Sequence, residues 1–243
     1  MFLLLDHDNI TLDATSLRDI VSRWVRSIAN LPAGIPNIRI RAYGGWFSDL
    51  TTTEDRFKAA AFYQSACPAI LPIDDRYFRI TFAFADELFM SNAGAPVIPI
   101  RGTVASRASP SRFRRHPSAS SCPETNCELI AVRRWAKKAR ACTRTACPFD
   151  FGSQFERLEQ KQVDVHLAVD TMLIADALTD GGHLAIASDD ADLLPAAAAA
   201  VHRLRSGVTL TLIRLRDQST YLDSQLLASG VSILGPHTSA RPR

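Results

Sequence analysis

Two short stretches, far apart in the chain, close apolar runs with acidic residues. The first is Asp6-His7-Asp8-Asn9, which follows Phe2-Leu-Leu-Leu5. The second is Ser188-Asp189-Asp190-Ala191-Asp192, which follows Leu184-Ala-Ile-Ala187. Carboxylates crowded together repel unless a cation or a proton shares them. If the two apolar runs are neighbouring strands of one sheet, their acids meet. In an open α/β sheet the crevice outside the carboxyl ends of the strands is where ligands bind. The plainer alternative is that each cluster only caps the helix after it, because Asp and Asn are favoured N-caps.

The elements that must position these acids can be read from periodicity. Neither apolar run alternates, the look of strands buried on both faces. Leu17, Ile20, Val21, Trp24, Val25 and Ile28 have helical spacing, which predicts a helix over 15–30. Pro32, Gly34 and Pro36 then break the chain. A strand is expected over 37–45 and a helix over 53–66, with Glu54 and Asp55 in its first turn. Residues 77–84 and 97–104 look extended, and Pro99 suits an edge. Residues 106–121, rich in Ser, Pro and Arg without periodicity, read as a flexible basic loop. Regular α/β structure is expected again from Phe155, with helices over 163–178, 193–204 and 219–228. Strands are expected over 184–187, 208–215 and 231–234, and the tail from Gly235 reads as loose.

A chain of 243 residues, 47% of them hydrophobic, can bury one ample core with a sizeable insertion. We therefore expect one α/β domain over 1–243 with an insertion over 75–150. No run is long enough for a membrane span, and Met1–Leu5 lacks the features of a signal peptide, so the expected setting is the cytoplasm. The net charge of +3 hides an asymmetry. Eleven basic and two acidic residues between Arg101 and Cys147 give that segment +9 and leave −6 for the rest. A basic lobe beside an acidic body suits a polyanionic substrate bridged to carboxylates by metal ions.

Four of the five cysteines form two pairs, Cys122-x4-Cys127 and Cys142-x4-Cys147, within that basic lobe. Two such turns would aim four thiolates at one structural zinc ion. The bland alternative is four unrelated reduced thiols. Cys67 stands apart and reads as a buried apolar residue. The candidate nucleic-acid contacts in the lobe are Arg112, Arg114, Arg115, Arg133, Arg134, Lys137, Lys138 and Arg140.

A third segment joins the two acidic stretches: Lys161-Gln162-Val163-Asp164, continuing to Asp170. In order and spacing the three together resemble the NYN domain family, the PIN-like nucleases. There a first strand ends in Asp-x-x-Asn, a Lys-Gly-Val-Asp element precedes a helix, and a Ser-Gly-Asp-Gly-Asp-Phe element ends a central strand. The likeness covers about 160 residues at the two ends of the chain and leaves out the insertion. It implies a three-layer, Rossmann-like α/β fold with a central mostly parallel sheet. It also implies cleavage of RNA with Mg²⁺ or Mn²⁺, hard ions that suit carboxylate oxygens. Carried over, Asp6, Asp164, Asp190 and Asp192 are the acidic metal-binding residues, supported by Asn9, Lys161 and Ser188. Gln162, Asp189 and Ala191 depart from the family pattern, each standing where it has Gly. Asp170 reads as supporting or structural, and His7 as a substrate contact or a surface histidine.

Two other readings stay open. Leu5-Asp6-His7-Asp8 also resembles the Asp-x-Asp start of haloacid-dehalogenase-type phosphatases, with Asp6 as nucleophile. Against it, Ile10 stands where that motif wants Thr or Val. Alternatively the chain binds RNA or a protein without cutting, on a degenerate nuclease fold. Single-stranded DNA is the alternative substrate, and no membrane partner is expected.

Overall fold

A computed structural model describes residues 1–9, 14–48, 51–90, 97–100, 103–107, 113–115, 155–160, 162–216 and 223–236. Lys161 and all four paired cysteines lie outside these residues, as do Arg112, Arg133, Arg134, Lys137, Lys138 and Arg140. The zinc expectation and most of the basic-lobe expectation therefore fall outside the described structure.

The central strand is β1 (Phe2–Asp6), every residue of which is buried. Its side chains alternate between faces, as pleating demands. Leu3 and Leu5 join one core layer, and Phe2 and Leu4 join the other. The first layer takes Leu17, Ile20, Val21 and Trp24 of α1 (Ala14–Ser27) and Ala59, Tyr63 and Ala66 of α2 (Glu54–Ala66). The second takes Leu167 and Ile174 from a long helix over Val163–Ala177, and Leu194 and Ala197 from a shorter one over Leu194–Val201. Helices thus cover both faces of one sheet, which accounts for the unbroken apolar runs.

In chain order the remaining strands are β2 (Asn37–Tyr43), β3 (Phe47–Ser48), β4 (Thr51–Thr52), β5 (Ile70–Ile73), β6 (Arg76–Phe84), β7 (Val104–Arg107), β8 (Phe113–Arg115), β9 (Phe155–Gln160), β10 (His183–Ala187), β11 (Thr209–Ile213) and β12 (Ser232–Leu234). The two helices just named are α3 and α4, and α5 covers Asp223–Ala228. Seven strands form the main sheet in the order β12-β11-β10-β1-β2-β6-β5. All neighbours in it are parallel except the edge pair β5–β6. From β1 the chain builds outward through β2 and β6. Later it returns to β10, on the other side of β1, and builds outward through β11 and β12. The order reverses between β1 and β10, and that switch point is where open α/β sheets place their ligands. The two acidic runs meet there, with Leu5 in register with Ala187.

Some sequence-based boundaries shift. Arg76–Phe84, assigned to the insertion, is a strand of the main sheet. The stretch expected to be extended over 97–104 is reduced to an isolated bridge, Glu87 to Pro99, and the start of β7. The expected loop over 106–121 contains the end of β7 and all of β8. These belong to a second sheet of five short strands in the order β4-β3-β7-β9-β8, which sequence periodicity did not reveal.

A buried polar knot ties the layers together. Asp170 of α3 is fully buried. It accepts from Arg41 Nη2 at 2.8 Å, from the Tyr43 hydroxyl at 2.7 Å and from the Phe89 backbone N–H at 2.8 Å. Burial alone would raise its pKa. The His166 hydrogen bond, the Arg41 charge, and the Phe89 and Tyr43 donors outweigh it and hold the carboxyl below its ordinary value. Asp170 is thus structural, clamping α3 to β2. Removing it takes the ion-pair partner from the half-buried Arg41 and leaves the buried Tyr43 hydroxyl without its acceptor, so Asp170→Ala should lose about 3 kcal/mol of unfolding free energy. Urea denaturation checks this; a loss under about 1 kcal/mol would mean the knot is not what holds α3.

Candidate functional site

Asp6 is the last residue of β1 and continues the alternation of Phe2 and Leu4, so it lies on the α3 face. It is wholly buried. Its Oδ2 accepts from Ser188 Oγ at 2.6 Å and from Asn9 Nδ2 at 2.8 Å. Its Oδ1 is buried with no hydrogen-bond partner. Burial raises the Asp6 pKa; the Ser188 and Asn9 bonds oppose this, and the charges of Asp8 and Asp190 add to it. Ser188, also fully buried, begins the turn after β10, where its Oγ accepts from the Asp190 N–H at 3.0 Å.

Asp190 uses its two oxygens differently. Oδ1 accepts from the Asp192 N–H at 2.8 Å and caps a short 3₁₀ turn, Ala191–Leu193, that leads into α4. The capping reading of this aspartate is therefore right for one oxygen. Oδ2 turns to the other cluster and takes a long contact of 3.4 Å from Asn9 Nδ2. The Asn9 amide thus stands between the two carboxylates.

Asp164 enters from the first turn of α3. Burial and the charges of Asp6, Asp190, Asp192 and Asp8 push its pKa up to about 6. Asp164 thus lies within electrostatic reach of Asp6, Asp8, Asp190 and Asp192 near the carboxyl edge of the sheet. Asp192 itself is exposed. Asp189, the extra acid of the second run, turns away. Its Oδ1 accepts from the Leu215 and Arg216 N–H groups at 2.9 and 3.1 Å, tying the exit of β10 to that of β11. Asp8 likewise serves the backbone, accepting from the Gly45 N–H at 2.7 Å. His7 is half-buried. Nδ1 lies 2.9 Å from the Tyr63 hydroxyl, the ring packs near Trp46, and burial lowers its pKa.

The residue before α3 has an unusual backbone conformation. Gln162 has φ +63° and ψ −3°, the left-handed conformation that glycine adopts without strain. Sequence reading missed Arg214, which ends β11 at the same sheet edge. Its guanidinium reaches Asp223 at 3.3 Å, while Nε and Nη1 are buried without a hydrogen-bond partner. The only available signal was a charged residue closing an apolar strand.

The donor set suits a hard cation: oxygen ligands alone, one of them a buried orphan. Among the described residues, however, no three His, Cys, Asp or Glu side chains are grouped tightly enough to hold an ion. The Asn9 amide bridges two of these carboxylates, donating to Asp6 and Asp190. Compared with protein-family models, curated proteins and solved structures, the chain matches none. Among the described residues no helix is long and apolar enough to cross a membrane.

Two predictions arise from this geometry. Asp164 has a raised pKa, so its penalty is absent below about pH 4, grows toward pH 6 and is complete above that. In metal-free buffer Asp164→Asn should stabilise the fold by about 1 kcal/mol at pH 8, after allowing for solvent screening, and by nothing at pH 4. Thermal melts across that range test it, and equal effects at both ends would contradict it. Gln162→Gly should add about 0.5–1 kcal/mol by relieving the left-handed strain. A lowered melting temperature would show that the side chain contributes more than the backbone costs.

Proposed function

We propose that the chain is a metal-dependent nuclease that hydrolyses phosphodiester bonds, with RNA as the substrate. The observation that carries this reading is Asp6: a buried carboxylate at the sheet's switch point, held on one oxygen and orphaned on the other, facing three more aspartates. A buried carboxylate oxygen without a hydrogen-bond partner is costly, and a bound cation is one way to offset that cost. Asp6, Asp164, Asp190 and Asp192 would hold Mg²⁺ or Mn²⁺. Bound there, the ion would acidify a coordinated water and offset charge on the phosphate.

The chain's own part is orientation and charge. Ser188 and Asn9 fix the Asp6 carboxylate. Asp164, its pKa pushed up to about 6 by burial and the acids around it, would give up a bound proton to a cation. Lys161 would support the cluster from the approach to α3. The four-cysteine zinc would be structural, folding the basic lobe around itself. The resemblance to the NYN family supports RNA, and the buried orphan supports metal dependence without any family name.

A second reading, a module that binds RNA or protein without cutting, draws on the lack of a tight three-carboxylate group among the described residues. One experiment separates the two. Incubation with a panel of RNAs and DNAs plus Mg²⁺ or Mn²⁺ should give cleavage products with RNA. EDTA should abolish them, and Asp190→Asn should slow turnover by on the order of a hundredfold or more. Tight binding with no product under either metal favours the binding module. A phosphoaspartate trapped on Asp6 favours the phosphatase reading.

A further inference from the structure

The face of the main sheet that carries Asp6 continues past it onto β11. Leu5 is in register with Ala187, and Ala187 with Ile213, so Asp6, Ser188 and Arg214 stand in one row across β1, β10 and β11. The ladders still hold at that row. The Ser188 N–H donates to the Ile213 carbonyl at 3.2 Å, and the Arg214 N–H to the Leu234 carbonyl at 2.8 Å. Alternation puts Arg214 on the face of Leu210 and Leu212, which belong to the same core layer as Phe2 and Leu4. Its ion pair agrees, because Asp223 opens α5, whose Leu226 joins that layer. Neighbouring strands lie about 4.8 Å apart, so the Arg214 backbone is about 5 Å from that of Ser188 and about 10 Å from that of Asp6.

Arg214 is 2% exposed. Among the described residues its one side-chain hydrogen bond runs from Nη2 to Asp223 Oδ1 at 3.3 Å. Nε and Nη1 are buried and have none. Arg41, by contrast, donates to Tyr43, Asp170 and the Glu87 carbonyl. A guanidinium carries five N–H donors in a planar fork, which matches two oxygens of a carboxylate or a phosphate. Donors left unpaired on a buried cation are costly, and an oxyanion is a ligand that would offset the cost. Asp223 engages only one of the three nitrogens.

We propose that Arg214 is the phosphate-binding residue of the cleft, taking non-bridging oxygens of the substrate backbone on Nε and Nη1. The row has acids at one end and a guanidinium at the other. A phosphate over the acids would need a cation between, whereas its neighbour along the chain would meet Arg214 directly. Asp223 competes for the same guanidinium, and its side chain is the more exposed of the pair, 17% against 3%, so an incoming anion meets it first. Phosphate contacts fix register and carry little sequence information, so Arg214 supplies affinity and position more than base choice. The proposal deepens the nuclease reading and rests on it for the identity of the phosphate as substrate. Anion binding at Arg214 does not itself depend on cleavage.

The test is the melting temperature of the full-length chain in EDTA against inorganic phosphate, with sodium chloride holding the ionic strength constant. The wild-type chain should show a saturable rise. Arg214→Lys keeps the charge but loses the fork, and should weaken phosphate about tenfold. Arg214→Gln should abolish the rise, and Arg216→Gln, at an exposed neighbour, should match the wild type. Asp223→Asn removes a negative charge beside the incoming anion and should tighten phosphate about threefold. It carries the test if both Arg214 variants melt early. In anisotropy with a labelled oligouridylate in EDTA, Arg214→Gln should flatten the log-log salt dependence by about 0.7. In Mg²⁺, Arg214→Lys should raise KM for RNA with kcat nearly unchanged. Equal phosphate protection of the wild type and Arg214→Lys, or no tightening in Asp223→Asn, would overturn the assignment. RNA cleavage with phosphate protection independent of Arg214 overturns only this inference. Phosphate binding that depends on Arg214, without cleavage under Mg²⁺ or Mn²⁺, overturns only the nuclease reading.

Discussion

The hydrogen bond from Ser188 Oγ to Asp6 Oδ2, 2.6 Å long, joins the two halves of the chain at the centre of the main sheet. It spans 182 residues and can form only if β1 and β10 are adjacent and in the right register. A one-residue slip would flip Asp6 onto the α1 side, into an apolar layer without a donor. The pairing of the central strands and the geometry of the cleft are thus one constraint. Burying a carboxylate there is costly, and the polar cleft is what the fold retains for that cost.

A comparison within the molecule sharpens this. Asp6 and Asp170 are both fully buried carboxylates against α3. Asp170 has a guanidinium, a phenol and a backbone N–H, and its pKa is lowered. Asp6 has a hydroxyl and an amide on one oxygen, nothing on the other, and its pKa is raised. The first is a finished structural device. The second keeps one oxygen without a hydrogen-bond partner. Burial does not distinguish the two; partner chemistry does.

Much of this was legible in the sequence, for physical reasons. β1 and β10 are buried on both faces, so their apolar runs stand out without alternation. The acids after them mark strand ends because only a sheet edge can hold so much charge. What stayed hidden depends on long-range packing. β6 was grouped with the arginine-rich insertion because nothing local says that it pairs with β2. β5 includes Pro72, acceptable there because the strand is at the edge of the sheet. The second sheet is made of strands two to six residues long, too short for a period to register. The burial of His7 arises from Trp46 and Tyr63, which arrive from β2's exit and α2. Asp189 lengthens the acidic run, and only the position of β11 reveals that it accepts from the Leu215 and Arg216 backbone.

The antiparallel pairing of β7 with β9 has a consequence for how the chain tolerates change. Arg107 and Arg157 face each other at the open end of that ladder, so the chain leaves and re-enters the fold at nearly the same place. Whatever connects those two points affects the body mainly through ring closure, which grows only with the logarithm of length, about 0.6 kcal/mol per doubling. Fifty residues or five could join them without disturbing a single pair of the main sheet. A change of length between those two points would thus reach the acidic edge of the main sheet only through that one ladder.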